Sequence, residues 1–510
     1  MDKVLILDFG SQYTQLIARK IRELGVYSEI VPSHFSLSRI KHEKPAAVVF
    51  SGGPRSVYQK NAPLLSPEIF NMKIPVLGIC YGLQLMAYLL GGKVHTSIKG
   101  EYGLAQLKVL NRRGLLAGIN DNTQVWMSHG DRVETVPAGF AVSGMTENST
   151  AAVMEWPQRK MFGVQFHPEV IHTEQGDEIL SNFLFSQAGL KAEWKISSFL
   201  PRKIAQIRSQ VKEDKVICGL SGGVDSLVTA LIMRKAVKEN LTCILVDNGL
   251  LRKGQYQALM RKFRDRFDLN VIGVDSSQMF LEKLKGVTSP EKKRRTIGQL
   301  FIHIFEKEAE KIGDIEYLAQ GTIYPDVIES NPVKGPSSSI KSHHNVGGLP
   351  SSLPFKLIEP LRELFKDEVR KLAEELGLER NFVLQHPFPG PGLAVRMVGE
   401  VTPEKIDLLR KADDILLQEV KREGLYEKLW QAFAVLLPVK TVGVMGDRRT
   451  YQRVVVIRLV RSLDGMTADW YPASPQFLAR ISNRIVNEVD GVNRVVYDIT
   501  TKPPGTIEWE

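Results

Sequence analysis

Short apolar runs alternate with helical periodicity through residues 1–188. Residues 3–7, 27–31 and 46–50 are apolar runs of strand length, while 12–24 repeats its apolar positions at helical spacing. Strand-then-helix alternation of this kind predicts an α/β layer fold built on a mainly parallel sheet. A polar stretch at 188–198 reads as a connector. A second unit with the same pattern follows, with a helix at 202–212, strands at 215–219, 241–246 and 315–319, an apolar helix from Leu227 and a structural helix at 362–376. From Met397 the pattern changes. An amphipathic helix at 402–423, strands at 432–438 and 453–461, a helix at 475–489 and a last strand at 493–499 describe a smaller α+β unit. The expected fold class is therefore α/β: two successive α/β domains with mainly parallel sheets, 1–188 and 189–396, followed by an α+β domain at 397–510.

Two turns between strand and helix carry candidate chemistry. Residues 75–79 read as a buried strand and 83–90 as a helix stopped by Gly91-Gly92, and Cys80 stands between them. Gly78 and Gly82 flank the thiol and permit the sharp turn that lifts a nucleophile off the top of a sheet. The helix that follows directs its N-terminus at the sulfur, which favours the reactive thiolate. Residues 162–169 read as a strand bearing His167 and Glu169 two positions apart, where period-2 alternation puts both on one face. Such an imidazole takes the thiol proton, and the carboxylate fixes its tautomer.

The second turn is Ser221-Gly222-Gly223-Val224-Asp225-Ser226, between a strand and the apolar helix. Glycines here let backbone N–H groups cradle phosphate at a helix N-terminus. The stretch lacks the Gly-Lys-Ser/Thr ending of a Walker A loop. Ligands in open α/β sheets bind beyond the carboxyl ends of strands, which makes Val246, at the end of the next strand, a candidate for an adenine and ribose pocket. Ile340-Lys341-Ser342-His343-His344 and the glycines after it read as a mobile cover over phosphates, with Lys341 as its cation. The histidine pair has no Cys or His partner at metal-ligand spacing.

Composition narrows the setting. The apolar fraction of 43% and charged fraction of 24% are those of a soluble globular chain. Three cysteines, Cys80, Cys218 and Cys243, make neither a disulfide framework nor a C-x-x-C pair, which fits a reducing, cytoplasmic setting. Cys218 and Cys243 fall in expected strands and read as packing. No signal peptide and no membrane-spanning run is visible. The net charge of +10 is scattered, and the Lys292-Lys293-Arg294-Arg295 cluster has no interleaved aromatics. It does not read as a nucleic-acid footprint, and anionic small substrates account for the surplus equally well.

On the cysteine and histidine segments, the N-terminal part resembles the class I glutamine amidotransferases. The resemblance implies glutamine hydrolysis through a thioester, with Cys80 as nucleophile, His167 as base and Glu169 as its orienting partner. It also implies an oxyanion loop at Ser51-Gly52-Gly53-Pro54, where the N–H of Gly53 works with that of Tyr81, and a contact from Gln84 to substrate glutamine. Ser128-His129-Gly130-Asp131 is expected to line the same pocket. The glycine loop resembles that of ATP pyrophosphatases, which implies that Ser221, Gly222, Gly223, Val224, Asp225 and Ser226 bind ATP and that Asp225 holds magnesium.

Taken in this order, with Gly321-Thr322-Ile323-Tyr324-Pro325-Asp326 and Lys502-Pro503-Pro504-Gly505-Thr506-Ile507-Glu508, the whole chain resembles the glutamine-hydrolysing GMP synthetases. That family implies GMP formation from XMP, ATP and glutamine through an adenylyl-XMP intermediate, with pyrophosphate and AMP released. It implies XMP contacts at Arg294, Gln476, Lys502 and Glu508, a requirement for ATP and Mg2+ without a prosthetic group, and a homodimer formed through the last domain. Two other readings stay open on the residues alone: a glutamine-fed pyrophosphatase with another acceptor, such as an NAD or asparagine synthetase, and an RNA-modifying thiolase or nucleic-acid binder.

Overall fold

The computed structural model describes residues 1–330, 355–462, 465 and 467–510. They form two compact units, Met1–Lys195 and Ile196–Ser330 with the described residues from 355 onward. Lys341 and the neighbouring cover segment lie outside the described residues. Among the described residues, no helix is long and apolar enough to cross a membrane.

The described residues of the first unit hold one nine-stranded sheet. Its strands are β1 (Lys3–Asp8), β2 (Tyr27–Pro32), β3 (Ala47–Phe50), β4 (Val76–Ile79), β5 (Lys93–Val109), β6 (Thr123–Thr135), β7 (Ala141–Met145), β8 (Val153–Trp156) and β9 (Met161–Val164), in the order β2-β1-β3-β4-β9-β8-β7-β5-β6. Pairing is parallel from β2 through β9 and antiparallel from β9 to β6. The parallel half is covered on both faces, so β3, β4 and β9 are buried at every residue. The antiparallel half is an addition to the expected layout. β6 alternates buried and half-buried residues along most of its length, with polar side chains interleaved, and such a strand does not register as an apolar run.

In the second unit, the described residues give a five-stranded parallel sheet. Its strands are β10 (Lys215–Leu220), β11 (Leu241–Asp247), β12 (Val271–Asp275), β13 (Ile315–Ala319) and β14 (Lys356–Ile358), in the order β12-β11-β10-β13-β14. A four-stranded sheet follows, from β15 (Gln431–Met445), β16 (Arg448–Arg461), β17 (Asp469–Trp470) and β18 (Val492–Tyr497), with β18 parallel to β16. β15 and β16 are 15 and 14 residues long, well beyond the expected 432–438 and 453–461. Their outer halves carry Lys440, Thr441, Arg448 and Arg449, and Pro438 lies where the register shifts, so the sequence pattern stops short of the hairpin tip. The structural helix expected at 362–376 is shorter, Lys366–Glu375. One hydrophobic cluster joins the two sheets, running from Ile217, Ile244 and Phe280 through Leu393 and Leu409 to Leu436, Ile457 and Ile481.

The last residues are docked on this body. Lys293, fully buried, donates from Nζ to the carbonyls of Ala394 (3.1 Å) and Met397 (2.7 Å) and pairs with the Glu510 carboxylate. Burial pulls the Lys293 pKa down, and Glu510 only partly restores it. A buried ammonium stripped of its anion is costly. Glu510→Ala is therefore expected to lower the stability of the second unit by about 3–5 kcal/mol, read as an earlier urea transition; an unchanged midpoint would show the pair to be inert.

Candidate active sites

Cys80 occupies the turn from β4 into the helix Tyr81–Leu89, as its N-cap residue. Its backbone, at φ 52° and ψ −106°, is held in a region that costs on the order of 1–3 kcal/mol for a residue with a Cβ. Three backbone bonds impose it. Cys80 N–H donates to Val164 O (2.8 Å), Gly82 N–H to Ser51 O (3.1 Å) and Gln84 N–H to Cys80 O (3.1 Å). The flanking glycines are required by close approach rather than by torsion. A Cβ on Gly78 would meet Gly82 O at 2.6 Å, and one on Gly82 would meet Phe50 O at 2.4 Å.

His167 and Glu169 are brought to this thiol, but not on a strand. β9 ends at Val164 and the pair lies in the segment beyond it, with Pro168 between them. The turn is fixed instead by His167 N–H to Trp126 O (3.0 Å) and Thr173 Oγ1 to His167 O (2.7 Å). His167 Nδ1 lies 2.7 Å from Glu169 Oε1, which leaves Nε2 for the sulfur. Both side chains are buried. Burial pulls the imidazole pKa down, but the Glu169 charge and the hydrogen bonds to Cys80 and Glu169 outweigh it and hold the ring well above its usual value. The buried carboxylate therefore favours the imidazolium form of the ring beside the sulfur.

The remaining expected residues of the first unit gather around the thiol. A Cβ on Gly52 would reach His167 Cε1 at 3.0 Å, and one on Gly53 would meet Phe9 O at 2.7 Å, so the Ser51–Pro54 loop lies directly against the imidazole. Tyr81 is the first residue of the helix, and its hydroxyl donates to Pro63 O at 3.0 Å. Gln84 is buried and its Nε2 donates to Asp131 O at 2.6 Å. The Ser128–Asp131 stretch does border the site, with Cys80 Sγ 3.7 Å from Ser128 O.

In the second unit the glycine loop follows β10 and opens the helix Val224–Val237. Gly222 has φ +84°, and its missing Cβ leaves room for Leu259. Ser226 Oγ ties the loop together. It accepts from Ser221 N–H (3.2 Å), lies 3.1 Å from Ser221 Oγ and donates to Gly223 O (3.0 Å). Gly321 packs on the same turn, where a Cβ would come within 3.1 Å of Ser226 N. Asp225 pairs through Oδ2 with Lys366 Nζ at 2.5 Å, while its Oδ1 is buried without a partner. Sequence reasoning missed Lys366. It is 141 residues from Asp225, at the start of a helix read as structural. Val246 is the next-to-last residue of β11, which Asp247 ends, and its side chain lies in the hydrophobic cluster.

Of the residues expected near XMP, Arg294 and the tail come together, since the Arg294 guanidinium donates to Glu510 O. Glu508 pairs with buried Arg396 at 2.9 Å. Lys502 Nζ donates to Gly465 O at 2.7 Å, and Gln476 is exposed in the first turn of the helix Pro475–Glu488. Among the described residues, no group of three or more His, Cys, Asp or Glu is placed to hold a metal by itself.

Fold and thiol site together define a multidomain α/β protein built around an amidotransferase elbow. Family models match along the chain in the same order: "Glutamine amidotransferase class-I" over residues 5–187, "NAD synthase" over 195–291 and "GMP synthase C terminal domain" over 418–509. Full-length relatives named "GMP synthase [glutamine-hydrolyzing]" include that of Carboxydothermus hydrogenoformans, 56% identical over 508 residues and covering 100% of this chain and 99% of its own. That of Natranaerobius thermophilus is 55% identical over 507 residues, covering 99% of both chains, and that of Brachyspira hyodysenteriae is 53% identical over 510 residues, covering 100% of this chain and 99% of its own. The chain belongs to the glutamine-hydrolysing GMP synthase family.

The elbow geometry yields a direct test. Gly82→Ala forces a methyl group against the Phe50 carbonyl and shifts the turn. It is expected to destabilise the first unit by about 1–3 kcal/mol and to slow alkylation of Cys80 by iodoacetamide roughly tenfold in the fraction still folded. Wild-type stability and alkylation rate would contradict the close-approach argument.

Proposed function

We propose that the chain makes GMP from XMP, ATP and glutamine, in the cytoplasm and as a homodimer. Its proposed divisions are an amidotransferase domain at 1–188, an ATP pyrophosphatase domain at 189–396 and a dimerisation and XMP-binding domain at 397–510. The observation that carries the reading is the buried Cys80–His167–Glu169 array at the end of a parallel strand, in a chain whose second unit presents a glycine cradle at a helix N-terminus.

At the first site the Cys80 thiolate attacks the carboxamide carbon of glutamine. His167 Nε2 gives its proton to the departing ammonia and then takes one from the water that cleaves the thioester. The N–H groups of Gly53 and Tyr81 receive the oxyanion, each donor worth roughly 3 kcal/mol in comparable sites. Gln84 orients the substrate. Glu169 holds the imidazole tautomer throughout.

At the second site the loop Ser221–Ser226 binds the phosphates of ATP through its backbone, and Val246 borders the adenosine. The XMP 2-oxygen attacks the α-phosphorus, the bond to the β-phosphate oxygen breaks and pyrophosphate leaves. Arg294, Gln476, Lys502 and Glu508 hold XMP. Ammonia then attacks C2 of adenylyl-XMP, and AMP departs as a far better leaving group than the original oxygen. Lys366, resting on Asp225, supplies a cation beside the phosphates. The unpartnered Asp225 Oδ1 fits magnesium, which commonly binds one or two carboxylates and completes its shell with water and substrate phosphate. When bound there, the ion neutralises charge on the phosphate oxygens.

Two variants test this division. Cys80→Ala is expected to abolish glutamine-dependent synthesis while ammonium-dependent synthesis stays near the wild-type rate. Asp225→Asn is expected to block pyrophosphate release while a basal glutaminase activity persists. Loss of both activities in a folded Cys80→Ala protein would contradict the proposal.

A further inference from the structure

Glu508 is gripped from behind by residues that no sequence motif singled out. Arg396 donates from Nε to Oε2 at 3.1 Å and from Nη2 to Oε1 at 2.9 Å, a two-point fork. Gln431 Nε2 donates to the same Oε1 at 2.6 Å and to Pro387 O at 3.0 Å. Arg396 is fully buried and Gln431 nearly so. The guanidinium has no freedom to follow the carboxylate elsewhere. It lies 4.3 Å from the Phe433 ring centroid and 5.1 Å from that of Phe388. Phe388 is in turn 5.1 Å from the Arg252 guanidinium, and Arg252 is paired with buried Asp413 at 2.9 Å.

The Glu508 side chain is not sealed in. The Glu508 side chain keeps 18% of its surface exposed, whereas that of Arg396 keeps none. An ion pair serving stability alone gains little from a buried fork, since well-packed apolar side chains often do as well or better. A rigid cation holding the carboxylate of a partly exposed side chain is instead the arrangement that presents that side chain to a ligand in one orientation.

We propose that Arg396 and Gln431 are positioning residues that set XMP affinity by fixing the Glu508 carboxylate without touching the nucleotide. This rests on the reading that Glu508 contacts XMP. Lysine at position 396 keeps the charge but cannot reproduce the fork. Ammonium-driven synthesis by the full chain is measured for Glu508→Gln, Arg396→Lys, Gln431→Met and the double variant Arg396→Lys/Glu508→Gln. Arg396→Lys is expected to raise the KM for XMP about tenfold and leave the KM for ATP in place, and Gln431→Met to raise the KM for XMP by about threefold. The double variant should be no worse for XMP than Glu508→Gln alone, because the fork has nothing left to orient.

A raised KM in Glu508→Gln with a wild-type KM in Arg396→Lys and Gln431→Met would overturn the positioning role, as would losses that multiply in the double variant. A wild-type KM in Glu508→Gln would instead remove the XMP contact, and this proposal with it. Should Arg396→Lys fail to fold, the KM of Gln431→Met decides between the same outcomes.

Discussion

Both candidate sites depend on one constraint. A chain leaving a buried parallel strand must turn into a helix within a few residues, so that the first helical N–H groups and one reactive side chain face the same point above the sheet. Backbone must then pass closer to backbone than a Cβ allows. In the first unit Gly78 and Gly82 meet that demand, and Cys80 between them is held at φ 52°. In the second, Gly321 packed against the backbone of Ser226 meets it at the glycine loop, where Gly222 at φ +84° leaves room for the Leu259 side chain. Each turn thereby sets the first N–H groups of a helix beside its candidate site, Cys80 in one unit and the Ser221–Ser226 loop in the other.

Much of this was legible because such turns leave local marks. A reactive residue between glycines, after an apolar run and before a helical period, can be read without knowing the rest of the chain. Most of the parallel strands were legible too, being largely apolar, but β12 and β14, with few buried positions, were not assigned. The antiparallel half of the first sheet and the outer half of the β15–β16 hairpin were not. Their strands alternate with polar residues, and pairing with a neighbour holds them in place more than an apolar run does.

What the sequence hid is mostly long-range. His167 and Glu169 were visible as a pair, but the strand assigned to them was wrong: β9 stops at Val164, and hydrogen bonds to Trp126 and Thr173 hold the segment beyond it. Lys366 reaches Asp225 across 141 residues from a helix with no motif of its own. Arg396 sits in an apolar turn, Gly392–Arg396, where a charged residue gives no sign of its partner until Glu508 is folded back onto it. Burial of Arg396 converts its pair with Glu508 from a weak surface contact into a strong constraint.

The central claim is that nitrogen is freed at a thiol in the first unit while a nucleotide is split between its α- and β-phosphates in the second. Phosphorus NMR of a reaction containing XMP, magnesium-ATP and glutamine tests it most directly. The account predicts AMP and pyrophosphate appearing together, one of each for every GMP formed. ADP and orthophosphate in their place would contradict it.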